Sequence, residues 1–359
     1  MIEELLAAAL GRMSEPGRTG SRRIVAAGGK RIRPELLLRC AALGGGAAGV
    51  SADPTDPAWT ATLGAATAVE LLHSATLLHD DLIDGSAVRR GVPAVHRAEG
   101  IPTAIIAGDA LIAQSWRAIA RCGPADVEDL ADALADMCSG QELEAALAFD
   151  PAARPLDVLR VAQLKTGSLF RAACRIGARR GGLADAQVVA LGLFGSDFGI
   201  ALQLVDDLLD VTSEPAVLGK PCGADFRAGT MTMPTIFALA DDARSAELLG
   251  LFRPGLDDAD ADRARALVLA SGSAGRTAAL ARSFARRAGR AMTTVAAAAP
   301  VAGSAPAVAL AHALGEEPMN YVIGQLRKSV TELDPAGTWA ESDDLALLST
   351  PDAPGSVAG

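Results

Sequence analysis

Helical periodicity runs almost unbroken through this chain, and it limits the possible folds more than any other feature. The segment 63–83, LGAATAVELLHSATLLHDDLI, places Val69, Leu72, Ala75 with Thr76, and Leu82 near one stripe. That is the 3.6-residue spacing of an amphipathic helix. The same spacing predicts helices over 103–121, 126–148, 156–180, 185–213 and 232–250. No run alternates apolar and polar residues between turn signals, so no sheet is expected. Hydrophobic residues make up 50% of the 359, enough for a large core and too many for wholesale disorder. Alanine, the best helix former, fills much of the sequence. Aromatic residues are only 3%, with one Tyr, which argues against an aromatic-rich β-sandwich or a stacking platform for single strands. Gly, Pro and Asp turn chemistry predicts breaks at 44–57, 84–93, 122–126, 149–155 and 214–230. The expectation is an all-α, single-domain helical bundle over 1–334, with 335–359 a disordered tail rich in Pro, Gly, Ser and acid residues.

Charge and cysteine content narrow the function classes. Lys+Arg is 33 against 43 Asp+Glu, a net charge of −10. Nucleic-acid binding needs a basic surface to replace counterions, so no nucleic-acid partner is expected. Cys40, Cys122, Cys138, Cys174 and Cys222 are scattered and odd in number, with no CxxC. Neither a disulfide scaffold nor a zinc site is expected, and the compartment reads as a reducing cytoplasm. Glu3 and Glu4 stand where an export signal would carry positive charge. The uncharged stretch 291–315 is Ala-, Ser- and Thr-rich and holds Pro300 and Pro306, so it is expected to be a loop plus the start of a helix rather than a membrane span.

The sharpest local feature is Asp80-Asp81-Leu82-Ile83-Asp84, which recurs as Asp206-Asp207-Leu208-Leu209-Asp210. Each DDxxD closes a long apolar run, ATLLHDD in one case and ALQLVDD in the other. On a helix the spacing puts Asp80 and Asp84 one turn apart on one face, with Asp81 beside them. Three close like charges repel, and acids at a helix C-terminus also oppose the helix dipole. A divalent cation among them removes both costs. Oxygen ligands with no Cys or His in the box suit Mg²⁺, which keeps waters and bridges to phosphate oxygens.

The complement is basic. Gly28-Gly29-Lys30-Arg31-Ile32-Arg33-Pro34 is a Gly-rich turn with three cations in four residues. Arg89-Arg90-Gly91 follows the first box, and Lys165-Thr166-Gly167 and Lys220 stand further on. Basic clusters beside metal-binding carboxylates in an acidic chain suit two polyanions, one carried by metal and one held directly by Lys and Arg.

On these motifs the chain resembles the trans-isoprenyl diphosphate synthases, the polyprenyl synthetase family, of medium- or long-chain or geranylgeranyl type. GGKRIRP, HSATLLHDDLIDGSAVRRG, LKTGSLF, FGIALQLVDDLLD and LGKPCGADFRAGTMTMP follow the family's motifs in the family's order. The resemblance implies a helical bundle around a central catalytic cavity, a homodimer, and condensation of isopentenyl diphosphate with an allylic diphosphate. It implies that Lys30, Arg33, His73 and Arg90 hold the isopentenyl diphosphate. Asp80, Asp84 and Asp206, helped by Asp81 and Asp210, would bind Mg²⁺ at the allylic diphosphate, with Asp207 behind them. Arg89, Lys165 and Lys220 would contact that same diphosphate. Thr166 and Gln203 would aim oxygens at the developing cation.

The implied chemistry ionises the allylic C–O bond, after which the isopentenyl double bond attacks the allylic cation. No free His or Glu is indicated near the site, so the departing diphosphate is the expected base. Product length would be set below the first box. Ala75 lies about 7.5 Å and Leu72 about 12 Å along the helix from Asp80. In the family a bulky aromatic near Ala75 stops growth early; here Ala75 and Thr76 are small. A product of twenty carbons or more is expected, with Trp116 and Met137 as candidate floors on other helices. Two alternatives remain. A class I terpene cyclase shares the first box but has no need of GGKRIRP. A non-catalytic subunit of a heteromeric synthase would lack intact boxes, and both are intact here.

Overall fold

Helices make up nearly all of the computed structural model, which describes residues 1–44, 56–212, 223–240 and 244–298. They are α1 (Ile2–Gly11), α2 (Gly17–Ala26), α3 (Ile32–Ala42), α4 (Pro57–Ile83), α5 (Val95–Ala98), α6 (Ile101–Ile119), α7 (Pro124–Leu147) and α8 (Pro155–Ala162). After these come α9 (Ser168–Arg180), α10 (Asp185–Thr212), α11 (Ala224–Ala228), α12 (Met233–Leu239), α13 (Ser245–Leu251), α14 (Asp258–Ala270) and α15 (Ser273–Ala298). Local chemistry sets the starts. Asp56 caps α4 by accepting the Ala58 N–H at 2.8 Å, with Pro57 in the first turn. Pro102, Pro124 and Pro155 open α6, α7 and α8 in the same way. The chain leaves α4 through Gly85 at φ 65.

The all-α expectation holds, with four local differences. The 84–93 break contains a minimal antiparallel hairpin, β1 (Val88–Arg89) on β2 (Val92–Pro93). Its turn residues Arg90 and Gly91 both have positive φ, 53 and 78, as a two-residue hairpin loop requires. The predicted helix 156–180 is interrupted by a π-helical turn over Gln163–Gly167. The predicted helix 232–250 divides into α12 and α13, with Ala240 closing the first. Residues 291–298 are the end of α15 rather than a loop leading into a helix, because an Ala-rich run continues a helix until its first proline, Pro300. The rest of that stretch, and the 335–359 tail, lie outside the described residues. The N-terminal helices α1 to α3 were not anticipated by the periodicity.

Three apolar clusters form the core. One joins α3, α8, α9 and α10 to the C-terminal helices. A second joins α4, α6, α7 and α9, and a third joins α1, α2, α4 and α6. Helix α4 serves two of them with successive residues: Leu72 enters the second, while Leu71, Ala75 and Leu78 enter the third. Helices α4 and α10 are long and apolar enough to cross a membrane, but 72% and 78% of their most apolar windows are buried inside the protein. They read as core helices.

The π turn is held where it is by absent side chains. A Cβ on Gly199 of α10 would meet the Gly167 Cα at 2.7 Å, and a Cβ on Gly140 of α7 would meet the Lys165 backbone N at 2.9 Å. Two glycines therefore let α7 and α10 close on the segment carrying Lys165 and Thr166. Such π turns are frequent at functional sites.

Candidate active site

The ends of α4 and α10 meet the π turn around three cavities, of about 290, 420 and 420 Å³. Asp206 lines all three, so they form one continuous site with chemically distinct parts.

The first cavity is acidic. Asp84, Glu144, Asp206, Asp207, Asp210 and Asp225 line it, with Lys165 and Arg89 as its cations. Asp84 is the C-cap of α4, and its N–H donates the helix's closing bond to the Asp80 carbonyl at 2.8 Å. Burial, with Asp84 close by, pushes the Asp80 carboxyl up to about 6 against the pull of Lys165. Burial likewise raises Asp84. It pushes Asp207 up to about 7, helped by Asp206 and opposed by bonds from Gln203 and the Met233 N–H. Acids from two helix ends are thus crowded together in a poorly solvated place, which disfavours their charged forms.

The middle cavity joins His73, Thr76, Leu77 and Asp80 of α4 to Met137, Lys165, Thr166 and Gln203. The Thr166 hydroxyl donates to Gln203 Oε1 at 2.8 Å, and Gln203 Nε2 donates to Asp207 Oδ1 at 2.9 Å. Lys165 Nζ is paired with Glu144.

The third cavity is basic, lined by Lys30, Arg31, Arg33, His73 and Arg90, with Glu70 as counter-charge. Arg33 stacks 4.4 Å over the Phe170 ring, and its buried Nε has no hydrogen-bond partner. Burial lowers it to about 10. His73 is held well below the usual histidine range by burial and by the nearby Arg33 and Arg90, so it is neutral at physiological pH. A neutral imidazole among guanidiniums offers one N–H to an anion without adding like charge.

Of the expected site residues it describes, the structure brings all but Leu72, Ala75, Asp81 and Trp116 to the walls of these cavities, with changes of role. Arg89 is not an uncommitted cation. Its Nε donates to Asp81 Oδ1 at 2.7 Å, and Asp81 is buried behind it. Ala75 lines none of these three cavities; it is fully buried in a cluster shared with α1, α2 and α6, and Thr76 beside it lines the middle cavity. Leu72 is likewise core, in the cluster that Trp116 packs against, while Met137 reaches both that cluster and the cavity. Two glutamates that the sequence did not single out, Glu144 and Glu70, line the site, each paired with a cation, Lys165 and Arg31. Both sit inside ordinary helical sequence, where nothing in their spacing sets them apart. Lys220 lies outside the described residues.

Among the described residues no three carboxylates or imidazoles converge into a ready-made cage. The oxygens instead sit on two facing helix ends, and the buried Asp81 Oδ2 has no hydrogen-bond partner. All-oxygen ligands left open toward a cavity fit a cation that retains waters and is completed by phosphate oxygens. The residues present therefore fit Mg²⁺.

Two aspartate-rich helix ends and an adjoining basic pocket inside a helical shell suit two polyanions, one carried by a divalent cation and one held by guanidinium and ammonium groups. The polyprenyl synthetase family model matches residues 18–268. A nonaprenyl diphosphate synthase of Mycobacterium tuberculosis is 35% identical over 76% of this chain and 79% of its own length. A geranylgeranyl diphosphate synthase of the same organism is 37% identical over 68% and 69%. A decaprenyl diphosphate synthase structure from Rhodobacter capsulatus superposes with a TM-score of 0.77 at 32% identity, covering 91% of this chain and 95% of that one. A polyprenyl synthase from Caulobacter crescentus, solved with calcium and isoprenyl diphosphate, gives 0.77 at 31%, covering 89% and 93%. The chain belongs to the polyprenyl synthetase family and is a trans-prenyltransferase of that family.

Proposed function

We propose that this enzyme condenses isopentenyl diphosphate with an allylic diphosphate, head to tail, and releases a trans-polyprenyl diphosphate of twenty carbons or more. The observation that carries this reading is the division of one continuous site into an acidic part and a basic part sharing Asp206. Asp80, Asp84 and Asp206 would hold Mg²⁺, with Asp81 and Asp210 in support; when bound, it neutralises the charge growing on the allylic leaving group.

The chain's own residues do the rest. Lys165, with Lys220, donates to the leaving diphosphate, and Arg89 adds charge from behind Asp81. Lys30, Arg33, His73 and Arg90 hold the isopentenyl diphosphate by charge-assisted bonds. Thr166, its proton committed to Gln203, can only present lone pairs to an electron-poor carbon. That steadies the cation without supplying a proton. Leu77, Leu202 and Met137 keep the reacting carbons away from water. The departing diphosphate takes the final proton, because Glu144 is paired with Lys165 and Glu70 with Arg31.

A homodimer is part of this proposal. Helix α6 exposes Ile101, Ile105 and Ile106 close together, at 55%, 43% and 46%, and α7 beside it is rich in alanine. Light scattering at micromolar concentration checks it, and a fully active monomer contradicts it. A cytoplasmic location is also part of the proposal, on the scattered, odd-numbered cysteines of the sequence.

The test is incubation with labelled isopentenyl diphosphate, Mg²⁺ and allylic primers of ten, fifteen and twenty carbons, followed by sizing of the products. Elongated diphosphates support the proposal; cyclised hydrocarbon, or no product, overturns it. The length gate of this proposal is Thr76, which lines the middle cavity where Ala75 does not. Thr76→Phe should shorten the product to fifteen or twenty carbons, because its ring enters the space beside Met137. Ala75→Phe overpacks a core and costs about 1–3 kcal/mol of stability instead. An unchanged product from folded Thr76→Phe removes Thr76 from that role.

A further inference from the structure

Three cations in four residues read as three ligands for an anion, yet every nitrogen of the Arg31 guanidinium already has a protein partner. Its Nη1 donates to Glu70 at 2.5 Å, its Nε to Glu3 at 2.7 Å, and its Nη2 to the Val25 carbonyl at 3.0 Å. Glu70 is 3% exposed, in the middle of α4. Glu3 lies at the start of α1. The guanidinium therefore spans from the N-terminal helix, across the end of α2, to a buried carboxylate in the wall of the basic cavity.

Arg31 also holds a backbone conformation that an ordinary residue avoids. Its φ is 49, and it follows Gly28 and Gly29 at φ 82 and 150. Glycine is the undemanding choice for such a position. An arginine there is kept in place by its side chain, through the three partners above. Arg90 closes the same loop from the other side. It donates to the Ile24 carbonyl at 3.3 Å and to the Gly28 carbonyl, and a Cβ on Gly29 would meet its guanidinium at 2.9 Å. Between these two clamps the chain turns into α3, which carries Arg33 to its place over Phe170.

We infer that Arg31, gripped by Glu3 and Glu70, is a positioning residue that sets Lys30 and Arg33 for the isopentenyl diphosphate, and that the N-terminal helix is thereby a working part of that pocket. The inference rests on the reading of the basic cavity as the isopentenyl site. Its consequence is selective. The allylic side of the site, Asp80, Lys165 and Asp206, takes no residue from the loop between Gly28 and Arg33 that the clamp holds.

The experiment uses the full chain and the variants Arg31→Gln, Arg31→Lys and Glu3→Gln. Each is measured for kcat, for KM of isopentenyl diphosphate and of the allylic primer, for thermal melting, and for calorimetric binding of isopentenyl diphosphate alone. A loop displaced by about 1 Å loses up to a hundredfold in a positioned reaction, so Arg31→Gln is expected to raise KM for isopentenyl diphosphate by about tenfold or more. KM for the primer stays within about twofold, and calorimetry weakens in step. Glu3→Gln, losing one of two carboxylate partners, raises the first KM by about threefold, and Arg31→Lys recovers part of the Arg31→Gln loss. Equal rises in both KM values overturn the inference, as does an unchanged isopentenyl KM in a variant that melts normally. Should Arg31→Gln fail to fold, Glu3→Gln decides the matter, since Glu3 is 65% exposed and its loss leaves the core intact. A wild-type protein that binds no isopentenyl diphosphate overturns the underlying reading of the cavity itself, a result distinct from all of these.

Discussion

Two sets of aspartates in this protein use the same side chain for opposite purposes. Along α7, Asp126, Asp129 and Asp136 face Arg179, Arg175 and Arg171 of α9, each pair at 2.8 Å. At the ends of α4 and α10, the aspartates face other acids across a cavity. In the first set every charge is answered by a guanidinium in a facing row, and the result ties two helices together. Among the described residues that line the second, acids outnumber cations, and both cations are already engaged, Lys165 by Glu144 and Arg89 by Asp81. Helix pairing gains nothing from that excess. It becomes useful when a cation and a polyphosphate arrive, and stability is given up to keep the place open.

The largest effect that sharpens this contrast is on turnover. Asp80→Asn should lower kcat by on the order of a hundredfold or more, with Mg²⁺ present, because it removes a carboxylate from the set that fits the metal. Its melting temperature should stay the same or rise. Burial and like charge have pushed this carboxyl up to about 6, so at neutral pH the ionised group destabilises the fold. Wild-type turnover in the variant would erase the distinction between the two sets.

Asp129→Asn is the converse. Asp129 is ion-paired with both Arg175 and Arg179 with only 13% of its side chain exposed. Breaking a half-buried pair of this kind falls between exposed and buried cases, so stability should drop by about 2 kcal/mol. Turnover by the folded fraction should be unchanged. Urea titration reads the first quantity and a primer-elongation assay the second. A loss of turnover without a loss of stability would move Asp129 into the site.

What the sequence made legible follows from which interactions are local. The i, i+1, i+4 spacing of Asp80, Asp81 and Asp84 already implied clustered charge at a helix end, and the second box repeated it. The helical class was equally plain from periodicity. The partners were not legible, because they come from elements distant in the chain: Arg89 folds back on Asp81 through a hairpin turn, and Glu144 reaches Lys165 from another helix. Arg31 looked like Lys30 and Arg33 until its left-handed backbone and its two carboxylates were seen. Ala75 and Thr76 show the limit most directly. Adjacent helical residues point about 100° apart, and that single step separates a core position from a cavity wall. Periodicity places a stripe, but it does not say which edge of the stripe is open.

The smallest expected effect tests whether the open acid set waits for its cation. Inorganic diphosphate with Mg²⁺ binds only a folded site, so it raises stability by RT ln(1 + [L]/Kd), about 1.4 kcal/mol at ten times Kd. For a domain of this size that is a rise of about 3 °C in melting temperature. Asp129→Asn should keep the full increment from its lower baseline, because its row of ion pairs has nothing to offer a metal. Asp80→Asn should lose most of it, and a chelator should abolish it in every variant. An increment that survives in Asp80→Asn would mean that diphosphate is held by Lys165 and the arginines alone. The crowding of acids at the ends of α4 and α10 would then need another explanation.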